Sequence, residues 1–177
     1  MNANPVFIPC TSADYEAIAQ IYNEYIRQGG QTMEERLHTA TDIAGWVKDF
    51  NSRERLLVLK QNGKVLGWGI IKKYSPRAGY RFTCETAIYL CPDEIRKGHG
   101  SFMKKRLIDI CRGLGYRHLV AKIFASNTAS IAYNQKIGYE IVGTQRHIGF
   151  KNGKWVDVVI MQYIIPSPEA VPQPGLQ

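Results

Sequence analysis

Apolar and polar positions follow two rhythms along this chain, and the switches between them outline short strands and amphipathic helices. Val6 to Cys10 reads as a first strand. Thr11 or Ser12 then offers an N-cap for a helix with Ile18, Ile21, Tyr22 and Tyr25 on one face, and Gly29-Gly30 ends it. Gln31 to Thr39 is polar and irregular, after which Thr41 or Asp42 can cap a short helix turning Ile43, Trp46, Val47 and Phe50 inward. Arg55 to Lys60 and Lys64 to Tyr74 are β-rich runs around Gln61-Asn62-Gly63, a hairpin signal. A loop from Ser75 to Gly79 leads into an extended run from Tyr80 to Cys91, halted by Pro92, which reads as the central strand.

The second half repeats the alternation. Gly98 to Leu114 has apolar residues at Phe102, Met103, Leu107, Ile110, Cys111 and Leu114, the spacing of an amphipathic helix whose outer face would carry Lys104, Lys105, Asp109 and Arg112. A strand from His118 to Phe124, a helix from Asn127 to Ile137, and a hairpin of Ile141 to Phe150 and Lys154 to Ile165 around Lys151-Asn152-Gly153 complete the pattern. The class is α/β in the mixed, α+β sense, with one domain over residues 1–165. Pro166 to Gln177 is Pro-rich without apolar periodicity and is expected to be disordered.

Composition narrows the function classes. With 177 residues, 45% hydrophobic and 21% charged, the chain can bury a core without disulfides or metals. Cys10, Cys84, Cys91 and Cys111 form neither a CxxC pair nor a Cys/His cluster, so no metal is expected. No signal-peptide pattern or membrane-length apolar run is present, which predicts a soluble cytoplasmic protein with no membrane partner. The net charge of +8 favours anions, but the basic residues are spread out, with a local excess from Arg96 to Arg117. A local anion site is therefore expected, and the aromatic and basic signature of a nucleic-acid binder is missing.

The stretch from Ala87 to Ser101 is a strand leading through a glycine loop into a helix, a geometry suited to phosphate groups. Gly98 and Gly100 admit close backbone approach, while Arg96 and Lys97 add positive charge. The loop has neither a GxGxxG nor a GxxxxGK[ST] pattern. Ile95-Arg96-Lys97-Gly98-His99-Gly100 instead resembles the [Q/R]xxGx[G/A] pyrophosphate motif of the GNAT superfamily of N-acetyltransferases, with Ile95 in the slot usually held by Gln or Arg. A second segment, Asn127-Thr128-Ala129-Ser130 running on to Tyr133 and Gly138-Tyr139, resembles that superfamily's Asn-x-x-Ser helix and Gly-Tyr ending. Further likeness in Ile21-Tyr22-Asn23, Cys84-Glu85-Thr86 and Gly149 to Val158 points to the phosphinothricin and methionine sulfone or sulfoximine N-acetyltransferase branch.

That resemblance implies a bent, mostly antiparallel sheet of about seven strands flanked by about four helices, opened by a V-shaped split. It also implies acetyl-CoA as cosubstrate, a small amino acid or analogue as acceptor, direct transfer without a covalent enzyme intermediate, and a homodimer. Glu85 matches the proposed base, and Tyr133 the residue near the sulfur that could protonate the coenzyme A thiolate, or else serve as a core aromatic beside Ile137. The main chain of Ile88, Tyr89 and Leu90 would hold the thioester and pantetheine, and residues Arg96, Lys97, Gly98, His99, Gly100 and Ser101 the pyrophosphate. Asn127 and Ser130 would support the pantetheine arm, or serve only as a helix cap and a first-turn polar residue. Arg77 and Tyr80 resemble the branch's carboxylate-binding segment, with solvated loop charge as the alternative. Thr32 and Glu34 resemble its Thr-x-Glu segment at the acceptor site, with Met33 where an aromatic is common. The competing class is a non-catalytic acyl-CoA sensor that keeps the cradle; Glu85 and Tyr133 argue against it.

Overall fold

The computed structural model describes residues 4–166, so the expectation for the Pro-rich tail lies outside the described residues apart from Pro166. Seven strands form one sheet: β1 (Val6–Pro9), β2 (Arg55–Gln61), β3 (Lys64–Lys73), β4 (Thr83–Leu90), β5 (His118–Phe124), β6 (Glu140–Lys151) and β7 (Lys154–Ile164). Their spatial order is β1-β2-β3-β4-β5-β7-β6, antiparallel throughout except where β4 meets β5. Four helices join them: α1 (Tyr15–Gln28), α2 (Ala40–Lys48), α3 (His99–Gly113) and α4 (Thr128–Ile137).

Period-two alternation splits the core into two layers. On one face Leu56, Val58, Trp68 and Ile70 pack against Ile18, Ile21, Tyr25 and Ile43 of α1 and α2. On the other, Leu57, Leu59, Ile71, Cys84 and Leu119 pack against Met103, Leu107 and Cys111 of α3. Every strand near the centre therefore presents one residue set to α1 and α2 and the alternate set to α3 and α4.

Several local expectations shift. Thr11 caps a short 3-10 turn, Ser12–Asp14, through a reciprocal box with Asp14, and α1 follows directly. The cap of α2 is Thr39, two residues earlier than expected, and Asp42 occupies the third position and answers the Thr39 N–H at 2.7 Å. Phe50 lies beyond the end of α2. The central strand starts at Thr83 because Ala78–Tyr80 forms a 3-10 turn. On α3 the buried stripe is Met103, Lys104, Leu107, Ile108 and Cys111, whereas Phe102 is 37% exposed. Lys104, expected on the outer face, is only 3% exposed, because it lies one turn from both Gly100 and Ile108 on the side that faces β4.

The parallel pairing of β4 with β5 covers just Thr83–His118, Cys84–Leu119 and Glu85–Val120. Beyond Glu85 the strands diverge while each keeps its outer partner, β3 along seven residues of β4 and β7 along all of β5. On the β3 side the backbone approach is close. A Cβ built on Gly67 would stand 2.7 Å from both the Tyr89 carbonyl oxygen and Leu90 Cδ2. Gly67→Ala is therefore expected to push the end of β4 away from β3 and to lower stability by about 1–3 kcal/mol, read as a melting temperature lower by roughly 2–12 °C. An unchanged melting temperature would show that the strand end moves freely.

Candidate active site

The direction of each backbone group on β4 follows from its neighbours. Thr83 C=O accepts from Tyr74 N–H at 3.3 Å and Cys91 N–H donates to Leu66 C=O at 2.8 Å, so odd-numbered residues bond toward β3. Even-numbered Ile88 and Leu90, with the carbonyl of Thr86, point toward the split, where no strand meets them among the described residues, while the Thr86 N–H closes the last pairing, at Glu85–Val120. Leu90 is partly satisfied: Tyr25 Oη donates to its carbonyl at 2.7 Å and lies 3.4 Å from its N–H. Thus the main chain at Ile88 is open and that at Leu90 is shared with a phenol from α1, whereas Tyr89, expected to hold the cofactor arm with its main chain, bonds toward β3 opposite Trp68 and leaves no main-chain group for the split.

Two cavities meet at this split. One of ≈1300 Å³ opens on the α1/α2 side, with Tyr22, Thr32, Glu34, Trp68, Glu85 and Tyr89 in its wall. The other, ≈90 Å³, lies toward α3 and α4 and is bounded by Thr86, Ile88, Lys104, Asn127, Ser130 and Tyr133. Thr86, Ala87, Tyr89, Lys122 and Phe124 border both, so the split connects them.

In the larger cavity Glu85 stands between strands, opposite Lys72 on β3 and 2.7 Å from Lys122 Nζ on β5. Its side chain is 36% exposed, which leaves the carboxylate reachable from the cavity. The apolar wall is an aromatic cluster: Tyr89 stacks on Trp68 at 4.6 Å, and Tyr22 meets Trp46, Trp68 and Tyr89 edge-on at 5.8, 5.3 and 5.1 Å. Thr32 is buried, with Oγ1 2.8 Å from Tyr22 Oη. Although partial burial works in the opposite direction, N–H groups of Arg36 and Glu35, with His38 beside them, hold the Glu34 carboxyl below its ordinary pKa. Glu34 therefore shapes its own loop.

Lys151, 4% exposed at the end of β6, secures that loop by donating to the Thr32 carbonyl at 2.6 Å and the Glu34 carbonyl at 2.7 Å. Asn23 adds a reciprocal pair of bonds to the backbone of His38, each 2.8 Å. Arg77 and Tyr80 are not brought to either cavity. Both are exposed on the β3–β4 connection, Tyr80 against Tyr74 at 5.4 Å. The cations bordering the large cavity are Lys72, Lys73 and Lys122, whose lysine-rich pattern on β3 and β5 carried no motif to single them out.

On the other side, Asn127 caps α4, its Oδ1 accepting the Ser130 N–H at 3.1 Å, so the capping role is realised while the residue also borders the small cavity. Tyr133 Oη is buried with no hydrogen-bond partner among the described residues, and burial pushes its pKa up. Asn134, not singled out in the sequence, is 4% exposed with Oδ1 equally unpartnered, while its Nδ2 donates to Ser130 C=O at 2.8 Å. Such orphaned polar atoms at a cavity wall are what a ligand's amide and thiol groups would satisfy.

The loop before α3 holds Arg96 and Gly98 in left-handed conformations at φ 68° and 84°. Gly98 is the N-cap of α3, no side chain caps it, and the first intrahelical bond runs from Phe102 N–H to Gly98 C=O. The N–H groups of His99, Gly100 and Ser101 therefore face outward with no acidic residue in the first turn. Glu94 holds the loop from behind, 3.2 Å from Lys97 Nζ and 3.4 Å from His99 Nε2. Gly100 adjoins Leu90 and the Tyr133 hydroxyl, joining cradle to small cavity. These features fit a diphosphate followed by an extended amide-bearing arm: donors at the helix end, an open strand edge, and unpartnered groups beside it.

Residues 9–160 match the family described as acetyltransferase (GNAT) domain, and the chain belongs to that family of N-acetyltransferases, which use acetyl-CoA. It is 36% identical over 151 residues to a phosphinothricin N-acetyltransferase of Alcaligenes faecalis, covering 84% of this chain and 77% of that protein. It is 32% identical to an L-methionine sulfoximine/L-methionine sulfone acetyltransferase of Pseudomonas paraeruginosa, covering 90% and 94%. Among solved structures, yncA of Salmonella typhimurium with its cofactor acetyl-CoA superposes with a TM-score of 0.89 at 27% identity, over 97% of this chain and 99% of that one.

The loop held by Lys151 gives a direct test of how this site is built. Lys151→Met removes both donated bonds and should destabilise the protein by roughly 2 kcal/mol, with amide hydrogen exchange accelerated from Thr32 to Arg36. Unaltered exchange there would mean that Tyr22 and Asn23 fix the loop unaided.

Proposed function

We propose that this protein transfers the acetyl group of acetyl-CoA to the primary amine of a small amino acid or analogue, of the methionine sulfone, methionine sulfoximine or phosphinothricin kind. The observation that carries this reading is the open β4 edge, with Glu85 on one side of the sheet and Tyr133 on the other. The relatives named for these acceptors match most of the chain.

In this reading Arg96, Lys97 and the N-terminal amides of α3 hold the diphosphate, and Asn127, Ser130 and the β4 edge from Ile88 to Leu90 align the pantetheine arm. Acetyl-CoA, when bound, supplies the activated thioester. The aromatic wall and the Thr32–Glu34 loop receive the acceptor side chain, and the lysines bordering the large cavity attract its carboxylate. Glu85, directly or through water, takes a proton from the acceptor ammonium so that the amine becomes a nucleophile. Tyr133, kept protonated by burial, donates a hydrogen bond toward the departing sulfur.

Two further features belong to the proposal. The β6–β7 hairpin exposes Val142, Ile148, Phe150 and Trp155 at 59, 55, 58 and 64%, an apolar face suited to a second copy of this chain. The free cysteines suit a reducing cytoplasm, and no helix among the described residues is long and apolar enough to cross a membrane.

Thiol release from acetyl-CoA across a panel of amines tests the reaction. Turnover is expected with amino-acid analogues, and Glu85→Gln is expected to lower kcat about 10²–10⁴-fold while coenzyme A binding measured by calorimetry is retained. Turnover confined to polyamines, aminoglycosides or peptides would reassign the acceptor, and full activity in Glu85→Gln would remove that residue from the base role.

A further inference from the structure

Lys104 combines three properties that neither packing nor the family motifs explain. Its side chain leaves α3 toward the sheet, is 3% exposed, and borders the ≈90 Å³ cavity that also holds Tyr133 and Asn134. Its ammonium has no carboxylate partner among the described residues. The nearest groups are Thr86 Oγ1 at 3.4 Å and the face of the Tyr139 ring at 4.4 Å, a hydroxyl and a cation–π contact. A buried cation so weakly compensated is costly to the fold, and an apolar residue of similar volume would generally be tolerated better.

No anionic side chain lines the small cavity among the described residues. Thr86 and Cys84 of β4, Cys111 of α3, Tyr139 before β6, and Tyr133 and Asn134 of α4 face Lys104, and Lys122 of β5 adds a second cation to the cavity wall. Cys84 and Cys111 lie 3.7 Å apart, and their contact together with burial pushes the Cys84 thiol far up, so it supplies no negative charge. The cavity is thus positive before any ligand enters. The proposed reaction creates one anion on this side of the sheet, the sulfur released when the carbon–sulfur bond breaks.

We propose that Lys104 is the residue that receives this thiolate, holding it as an ion pair and giving it a proton from Nζ. The inference rests on the acetyl-transfer reading above. When the carbon–sulfur bond breaks, its electron pair stays on sulfur. Nζ–H then breaks, its proton forms S–H, and Lys104 is left as a neutral amine that regains a proton from solvent. The proton lost by the acceptor amine leaves separately through Glu85, so charge and atoms balance.

Acidity favours Lys104 over Tyr133 for the transfer. Burial lowers the Lys104 pKa from 10.5 to about 8. That is near an ordinary thiol at ~8.5, so the exchange is close to balanced. Tyr133 is pushed above its already higher value and is better suited to hold the sulfur by a hydrogen bond than to surrender a proton.

The test is the titration of coenzyme A bound to the protein, followed by far-ultraviolet thiolate absorbance against the same protein loaded with desulfo-coenzyme A. The bound thiol is expected to titrate at least about one pH unit lower in the unaltered protein than in Lys104→Met. Lys104→Met should also melt at the same or a higher temperature and lose kcat without a change in acceptor KM. Identical titration of the bound thiol in the two proteins overturns the role of Lys104 and leaves the acetyl-transfer reading standing. A lower melting temperature with unchanged thiol titration likewise assigns Lys104 to the fold. Failure of the unaltered protein to bind coenzyme A overturns both readings.

Discussion

Pairing between β4 and β5 ends at Glu85–Val120, and the rest of the molecule is arranged around that interruption. Two adjacent strands in a sheet normally continue to satisfy one another, and a gap would close unless each strand were held from its far side. Here β3 follows β4 to Leu90 and β7 follows β5 to Phe124. Gly67 lets β3 approach so closely that β4 has little lateral freedom. Tyr25, reaching from α1 to the carbonyl of Leu90, keeps the end of the open edge from drifting.

The alternation of β4 then distributes chemistry between two compartments. Glu85, Ala87 and Tyr89 face the broad cavity under α1 and α2, while Thr86, Ile88 and Leu90 face α3 and α4. One strand therefore delivers a carboxylate to one side and an open main-chain edge to the other. A substitution that slipped the register of β4 by one residue would exchange the two compartments.

Much of this was legible in the chain because the relevant signals are local. Asn62-Gly63 and Asn152-Gly153 mark hairpins, the glycine loop at Gly98 marks a helix start, and Asn127 marks both a cap and a cavity wall. What escaped the sequence depends on long-range contacts. The Thr32–Glu34 loop is held by Lys151, more than a hundred residues away, and no spacing rule connects them. Arg77 and Tyr80 matched a pattern but lie outside both cavities, since a loop motif carries no information about the direction of its connection. The charge of Lys104 points to solvent, although its spacing from Leu107, Ile108 and Cys111 puts it on the buried stripe. Charge is a good guide to exposure except where helix periodicity turns a position onto the sheet.

Lysines occupy both compartments in different electrostatic settings. Lys122 is 48% exposed and pairs with Glu85, so its charge is balanced and screened. Lys104 has only Thr86 and an aromatic face, in a space that excludes most water. A charge interacts more strongly as its surroundings lose water, so an anion formed beside Lys104 would be stabilised far more than one formed beside Lys122. Amide formation releases a proton at the amine and demands one at the sulfur, and in the proposed reaction the two demands fall on opposite faces of the same sheet. In that reaction the split between β4 and β5 would let the reacting carbon bridge them while Glu85 and Lys104 stay on separate faces, which prevents the two from neutralising each other.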